Sequence, residues 1–273
     1  MNTAILGLGI IGAEWAKNLA ADEVPLKTWN RTPKPDASGF VADAADAARD
    51  AELVIIVVAD PPAVQGVLDA ILPVLKPGQI VAQASTVSAE WNLRFAAQVG
   101  KTGAKFLEIP FTGSKPAAIE RKTVFYVGGD AALLARVEPV LARLSQTRIH
   151  IGPLGSAAAL KLAMNMNIAM VLHGLSESLS FARAAGIPDA TYFEALKVNA
   201  ARSPMSDLKE PKLRAGDYAP QFSLKHMDKD LRLALESAGD LALPQLRALK
   251  AQYDAGMARG LGDEDFSVLM KLL

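Results

Sequence analysis

Ala4-Ile5-Leu6-Gly7-Leu8-Gly9-Ile10-Ile11-Gly12 is the stretch whose reading decides the fold. A short apolar run ends on a G-x-G-x-x-G pattern, and spaced alanine and leucine over residues 10–21 then predict a helix. The pattern alone is a weak signal; between a strand and a helix it becomes a strong one. Gly7 permits a tight turn, Gly9 lets backbone approach a pyrophosphate, and Gly12 lets helix and strand pack closely. The helix N-terminus adds backbone N–H groups and a partial positive charge. Gly7, Leu8, Gly9, Ile10, Ile11 and Gly12 are therefore expected to seat the phosphates of a dinucleotide.

The next apolar run, Leu26-Lys27-Thr28-Trp29, ends on Asn30-Arg31-Thr32. An acidic residue at this place would bond a ribose 2′-hydroxyl and favour NAD. None is present, and a guanidinium can pair with a 2′-phosphate and stack on adenine. Asn30 and Thr32 can donate hydrogen bonds to the same phosphate, so the expected cofactor is NADP (NADPH).

Further runs at Leu53–Val58, Ile80–Ala82, Lys105–Ile109, Thr123–Val127 and Arg148–Ile151 predict strands, with helical patterns such as 89–99 between them. Alternation of strand and helix points to a mainly parallel, doubly wound sheet of Rossmann type. Leu53–Val58 is apolar throughout, as a strand covered on both faces should be. Beyond Gly152-Pro153-Leu154-Gly155 the character changes. Residues 156–185 contain no proline and only Gly174 among glycines, which predicts one long, mostly apolar helix buried between partners. Helical patterns follow at 190–198, 224–237 and 245–258, and 265–272 closes the chain. The expected organisation is a nucleotide-binding domain at 1–152 and an all-helical domain at 153–273.

Bulk properties narrow the function. The 273 residues are 51% hydrophobic and 21% charged, ordinary for a globular protein. With 29 basic and 29 acidic residues the formal charge is zero, so nothing favours a nucleic-acid partner. Cysteine is absent, which excludes a disulfide framework, a thiol nucleophile and a cysteine-based metal site. His150, His173 and His226 are scattered and suggest no metal site. No charged leader precedes the first strand, and the most apolar stretch carries Lys161 and two asparagines, which a bilayer would tolerate poorly. A soluble, cytoplasmic protein is expected.

The chain resembles the β-hydroxyacid dehydrogenases, especially their glyoxylate and succinic semialdehyde reductase branch. The resemblance runs in order through Gly7–Gly12, Ala16-Lys17-Asn18-Leu19, Asn30-Arg31-Thr32, Ala59-Asp60-Pro61, Ser85-Thr86-Val87, Phe106-Leu107-Glu108-Ile109-Pro110, Thr112-Gly113-Ser114-Lys115, Gly128-Gly129-Asp130, Lys161-Leu162, Asn165, Glu177 and Leu224–Leu231. It implies that Ala59, Asp60 and Thr86 line the cofactor site, Thr86 near the nicotinamide ribose. It implies that Thr112 and Gly113, with Ser114, bind a substrate carboxylate or hydroxyl, and that Lys229 reaches cofactor and substrate. Lys161 matches the catalytic lysine and Asn165 the asparagine one turn later. It also implies a homodimer. The residues agree: Lys161 and Asn165 are four apart on a helix and share a face. A lysine in so apolar a helix is expensive unless used or paired, and carbonyl reduction needs a proton donor beside the oxygen.

The sequence departs from the family pattern in several places. Ile11 and Trp15 replace methionines, Thr112 stands for serine, and Phe111 for a small aliphatic residue. Residues 119–122 lack the usual glycine, and 33–41 is short. The expected reaction is hydride transfer between NADP(H) and a small semialdehyde or 2-oxo acid bearing a carboxylate, with Lys161 as acid/base. An imine reductase of the same architecture and an inactive dehydrogenase-like binding module are the rival readings. Imine reductases usually carry an acid or tyrosine in place of Lys161, and a lapsed enzyme would have lost Lys161 or Asn165.

Overall fold

Each apolar run of the first half becomes a strand in the computed structural model, which describes residues 1–273. β1 (Thr3–Leu6), β2 (Leu26–Trp29), β3 (Leu53–Ile56), β4 (Ile80–Gln83) and β5 (Lys105–Glu108) pair in parallel in the order β2-β1-β3-β4-β5. Parallel neighbours need crossovers, supplied by α1 (Gly12–Ala21), α2 (Ala44–Ala48), α3 (Pro61–Ile71) and α4 (Ala89–Gly100). Alternate strand residues face opposite cores. Ile5, Leu53, Ile55, Ile80, Ala82 and Leu107 point to one side, and Ala4, Leu6, Val54, Ile56, Val81 and Phe106 to the other. Both faces are covered, which explains the continuous apolar runs.

β6 (Phe111–Thr112), α5 (Lys115–Ile119), β7 (Thr123–Gly128), α6 (Ala131–Leu141) and β8 (Ser145–Gly152) complete an eight-stranded sheet. β7 is antiparallel to β5 and β6 and parallel to β8. The two-residue β6 is too short to leave a periodic pattern, and the sequence reading has no strand there.

The chain divides into two compact units, Met1–Lys161 and Leu162–Leu273. The division falls inside α7 (Ser156–Ala184), nine residues beyond the boundary read from sequence at 152. The reason is local: the N–H groups of Ala157 and Ala158 donate to Glu108 at the end of β5, at 2.7 and 3.4 Å, so the first turn of α7 is bonded to the sheet. The second unit holds the rest of α7 with α8 (Asp189–Lys197), α9 (Pro204–Ala215), α10 (Leu224–Ser237), α11 (Pro244–Ala258) and a closing 3-10 segment, Phe266–Leu272. Its core is built from residues such as Leu172, Leu179, Phe193, Leu231 and Tyr253. The sequence reading does not contain α9, whose interior Pro211 masks its helical character. A capping box between Ser203 and Ser206 starts it. Lys209 then ties it to Asp265 by a buried ion pair at 2.7 Å, and Asp265 also caps the closing segment through Ser267.

One departure from the family pattern has a physical explanation. Arg121 stands in the stretch that lacks glycine and adopts φ +60°, a left-handed conformation that a side chain resists. Its guanidinium grips both carboxylate oxygens of Asp22, at the end of α1, at 2.6 and 2.8 Å. Arg143 approaches the same carboxylate at 3.0 Å. The Arg121 hydrogen bonds, against the cost of burial and with help from Arg143, hold the Asp22 carboxyl at about 2, down from 3.8. This ion triad holds the α5–β7 turn against α1.

The half-exposed pair stabilises by about 1 kcal/mol, roughly what the left-handed backbone costs. Arg121→Ala loses the pair and keeps the strain, whereas Arg121→Gly loses the pair and relieves the strain. Urea melts at neutral pH should therefore rank the parent and Arg121→Gly together, with Arg121→Ala below both. Asp22 has a depressed carboxyl, so the pair's contribution is complete above pH 3.8 and is lost as pH falls through about 2. The gap between parent and Arg121→Ala should close over that window; equal stability of the two at pH 7 would show that the pair contributes nothing.

Candidate active site

Parallel pairing places the ends of β1 to β4, and the loops that follow them, on one edge of the sheet, and the strand order reverses at β1, where such sheets bind ligands. The glycine turn sits at that point. Gly7 has φ +115°, and a Cβ on it would overlap the Val57 carbonyl; a Cβ on Gly12 would overlap the Gly7 carbonyl. Gly9, by contrast, faces open space. α2, α3, α4 and α6 each begin on a side chain that accepts a backbone N–H, but α1 has no side-chain cap. An uncapped, glycine-opened helix N-terminus is an anion seat, and these residues fit a dinucleotide pyrophosphate.

Asn30 shapes this seat from β2. Its Oδ1 accepts the Leu8 N–H at 2.8 Å, and its Nδ2 donates to the Thr32 carbonyl at 2.8 Å. One of its N–H groups, read from sequence as a donor to phosphate, is thus spent on the turn. Lys34, absent from the sequence reading, donates to the Leu8 carbonyl at 2.6 Å and closes the turn from the other side. Arg31 and Thr32 are exposed beside it, and Arg31 forms no hydrogen bond or ion pair within the chain. Asp60 follows Ala59 in the loop after β3, and its carboxylate caps α3 through Ala63 N–H at 2.8 Å. Its side chain therefore holds the loop, aided by Pro61 at the first helical position. Thr86, half-buried, follows Ser85, whose hydroxyl accepts the Val58 N–H at 2.8 Å.

Lys161 is 8% exposed, and its ammonium lies 6.0 Å from the centroid of the Phe111 ring. Phe111 is in turn packed edge-on against Trp15 of α1, with centroids 4.9 Å apart. The two aromatic departures from the family pattern thus form one cluster, which provides a cation–π face for the lysine. Thr112 is the next residue, paired with Val124 in the sheet, and Gly113 and Ser114 follow at the start of α5. The fold therefore brings Lys161 to the ring of Phe111, the residue that precedes Thr112-Gly113-Ser114.

In the second unit, Asn165 Nδ2 donates to Asp230 Oδ2 at 2.6 Å, and Lys229 Nζ lies 2.9 Å from Asp230 Oδ1. Asp230 is the residue that unites these two. One amide N–H of Asn165 remains for another acceptor. Glu177, part of the family-like pattern, pairs with His173 at 3.1 Å rather than with Lys161. It lies sixteen residues further along α7, about 24 Å at 1.5 Å per residue. Glu108 and its hydrogen-bonded neighbours carry no role in the sequence reading, although Glu108 lies within the family-like run 106–110; only a buried carboxylate among apolar strand residues could have flagged it.

Residues 2–152 match the family described as the NAD binding domain of 6-phosphogluconate dehydrogenase. Residues 155–273 match that described as NAD-binding of NADP-dependent 3-hydroxyisobutyrate dehydrogenase. Glyoxylate/succinic semialdehyde reductase 1 of Arabidopsis thaliana is 30% identical, over 99% of this chain and 98% of its own. The 2-hydroxy-3-oxopropionate reductase of Escherichia coli (strain K12) is 29% identical, over 100% of this chain and 97% of its own. The crystal structure of a 3-hydroxyisobutyrate dehydrogenase from Salmonella typhimurium superimposes with a TM-score of 0.91 at 23% identity, covering 100% of both chains. The chain belongs to the β-hydroxyacid dehydrogenase family and is an NAD(P)-dependent oxidoreductase.

Proposed function

We propose that this enzyme uses NADPH to reduce a small aldehyde or 2-oxo acid that carries a carboxylate, with Lys161 as the proton donor. The observation that carries this reading is the buried ammonium of Lys161 over the ring of Phe111, one residue before Thr112-Gly113-Ser114. The nicotinamide, when bound, supplies the hydride. The chain's own residues do the rest. Lys161 protonates the carbonyl oxygen as negative charge develops there and holds the alkoxide. Asn165, kept in orientation by Asp230, has a second N–H to offer a substrate oxygen. Thr112, Ser114 and the Gly113 backbone hold the carboxylate, and Lys229 serves cofactor and substrate binding. Arg31, free of internal partners, takes the 2′-phosphate with Thr32. Glyoxylate and succinic semialdehyde are the leading substrates, in keeping with the named relative. We further propose a homodimer, formed over the second half of α7, where Phe181 is 79% exposed.

Cofactor choice is read from kcat/KM with NADPH and with NADH. A charged contact to the 2′-phosphate contributing ~2–3 kcal/mol gives a preference of roughly 30- to 150-fold, most of which Arg31→Ala should erase. Equal use of both cofactors by the parent enzyme would rule the assignment out.

Substrate class is read from a panel of glyoxylate, succinic semialdehyde, butanal and a cyclic imine. The two carboxylates should be reduced far better than the neutral aldehyde, and the imine not at all. Faster turnover of butanal would mean that Thr112, Gly113 and Ser114 hold no carboxylate and that Phe111 has made the pocket apolar.

Lys161→Ala should fold and bind NADPH nearly as the parent does, because the phosphate contacts lie elsewhere and the substitution leaves no ammonium buried. Its single-turnover NADPH oxidation should fall by ~10²–10⁴, the range for a positioned proton donor. Lys161→Arg should recover little, since a guanidinium stays protonated and has another shape. Tight NADPH binding with near-parental turnover in Lys161→Ala would assign the proton to another group.

A further inference from the structure

A buried chain of polar side chains runs through the first compact unit and ends on the helix that carries Lys161. The Ser85 N–H donates to Gln83 Oε1, Gln83 Nε2 donates to Asn92 Oδ1 at 2.9 Å, and Asn92 Nδ2 donates to Glu108 Oε2 at 2.6 Å. Glu108 Oε1 accepts the N–H groups of Ala157 at 2.7 Å and Ala158 at 3.4 Å. Gln83, Asn92 and Glu108 are all 0% exposed. Burial pushes the Glu108 carboxyl up, and the donors from Ala157, Asn92, Ala158 and Gly155 draw it back.

The direction of this chain is not adjustable. A backbone N–H feeds it at each end, from Ser85 and from Ala157, so somewhere between them two donors must converge on an acceptor-only group. Glu108 is that group, and no flip of Gln83 or Asn92 can replace it. β7 leaves space for it, since a Cβ on Gly128 would overlap Glu108 Oε1. The packing of β5 does not call for a carboxylate, because its neighbours Phe106, Leu107 and Ile109 are apolar and buried. What a carboxylate does here is fix a helix N-terminus, where negative charge is favoured. Ala157 lies one turn before Lys161 on the same helix face. At the other end, Ser85 precedes Thr86 and accepts the N–H of Val58, which precedes Ala59.

We propose that Glu108 is a positioning residue for Lys161: by holding the first turn of α7 to the strand ends that carry Ala59 and Thr86, it sets where the Lys161 ammonium stands. The proposal rests on the reading of Lys161 as proton donor.

Three variants of the full chain test it, alongside Lys161→Ala. Glu108→Gln puts an amide N–H against that of Asn92 and breaks the chain at one joint. The double variant Asn92→Asp with Glu108→Gln moves the carboxylate one residue back and restores every hydrogen bond. Asn92→Ser leaves Glu108 in place without its anchor, and serves if Glu108→Gln is too unstable to assay. Steady-state kcat and KM, NADPH affinity by fluorescence titration and melting temperature are measured on each. Glu108→Gln should lose roughly 10- to 100-fold in kcat, the scale for a displaced catalytic group, with KM and NADPH affinity little changed. The double variant should recover most of kcat. Parental kcat in Glu108→Gln or Asn92→Ser, with a lowered melting temperature alone, would overturn the proposal and leave Glu108 a structural cap. A double variant that regains stability but not kcat would overturn it too. If Lys161→Ala keeps its turnover, the reading of Lys161 fails first, and that outcome is distinct from both.

Discussion

Parallel hydrogen bonding of β1 to β2 on one side and β3 on the other is the constraint on which the rest depends. It aligns the strand ends on one edge and leaves the backbone beyond β1 free to turn into α1. The turn must be tight, because both Gly7 and Gly12 lie against neighbouring carbonyls. It must also be rigid, and Asn30 and Lys34 clamp Leu8 by its N–H and its carbonyl. The same edge receives the loop after β3, held by Asp60, and the loop after β4, held by Ser85. Nucleotide recognition is therefore a consequence of strand order, with side chains stiffening the loops.

The buried carboxylates Asp265, Asp230 and Glu108 are each met by polar partners. Lys209 and Asp265 pair at 2.7 Å, and further donors from Gln221, Phe222 and Ser267 fill the remaining lone pairs of Asp265. Burial opposes ionisation of Asp265, yet Lys209, Ser267 and Gln221 outweigh it and hold its carboxyl below the usual range. Asp230 is shared between Asn165 and Lys229, and Glu108 between Asn92 and the start of α7. A buried ion pair contributes less to stability than to a defined geometry. Asp265 orders a closing segment with only 3-10 regularity, whereas Asp230 orders Asn165 and Lys229, and Glu108 the first turn of α7.

Much of this was legible in the residues. The strand–turn–helix around Gly7, the missing acid after Trp29 and the long helix from Ser156 were each readable because a local pattern has a local cause: backbone sterics, charge at a strand end, absence of helix breakers. The resemblance then supplied roles for Thr86, Thr112, Lys161, Asn165 and Lys229. Illegible were β6, too short for a period, and α9, whose helicity rests on a serine capping box and a buried ion pair to a residue far along the chain. So was Arg121, where a bidentate contact across 99 residues pays for a backbone that glycine usually takes.

The sequence by itself determined the strand and helix alternation of the first half, the mainly parallel sheet and the dinucleotide turn, since these follow from hydrophobic period and glycine placement within short windows. Only the tertiary structure decided which side chains meet. Asp230 joins Asn165 across 65 residues, and Glu108 reaches Ala157 across 49. Glu177 lies four apart from His173 and turns to it rather than to Lys161. Those partnerships depend on where strands and helices place their ends in space, a distance that no spacing along the chain encodes.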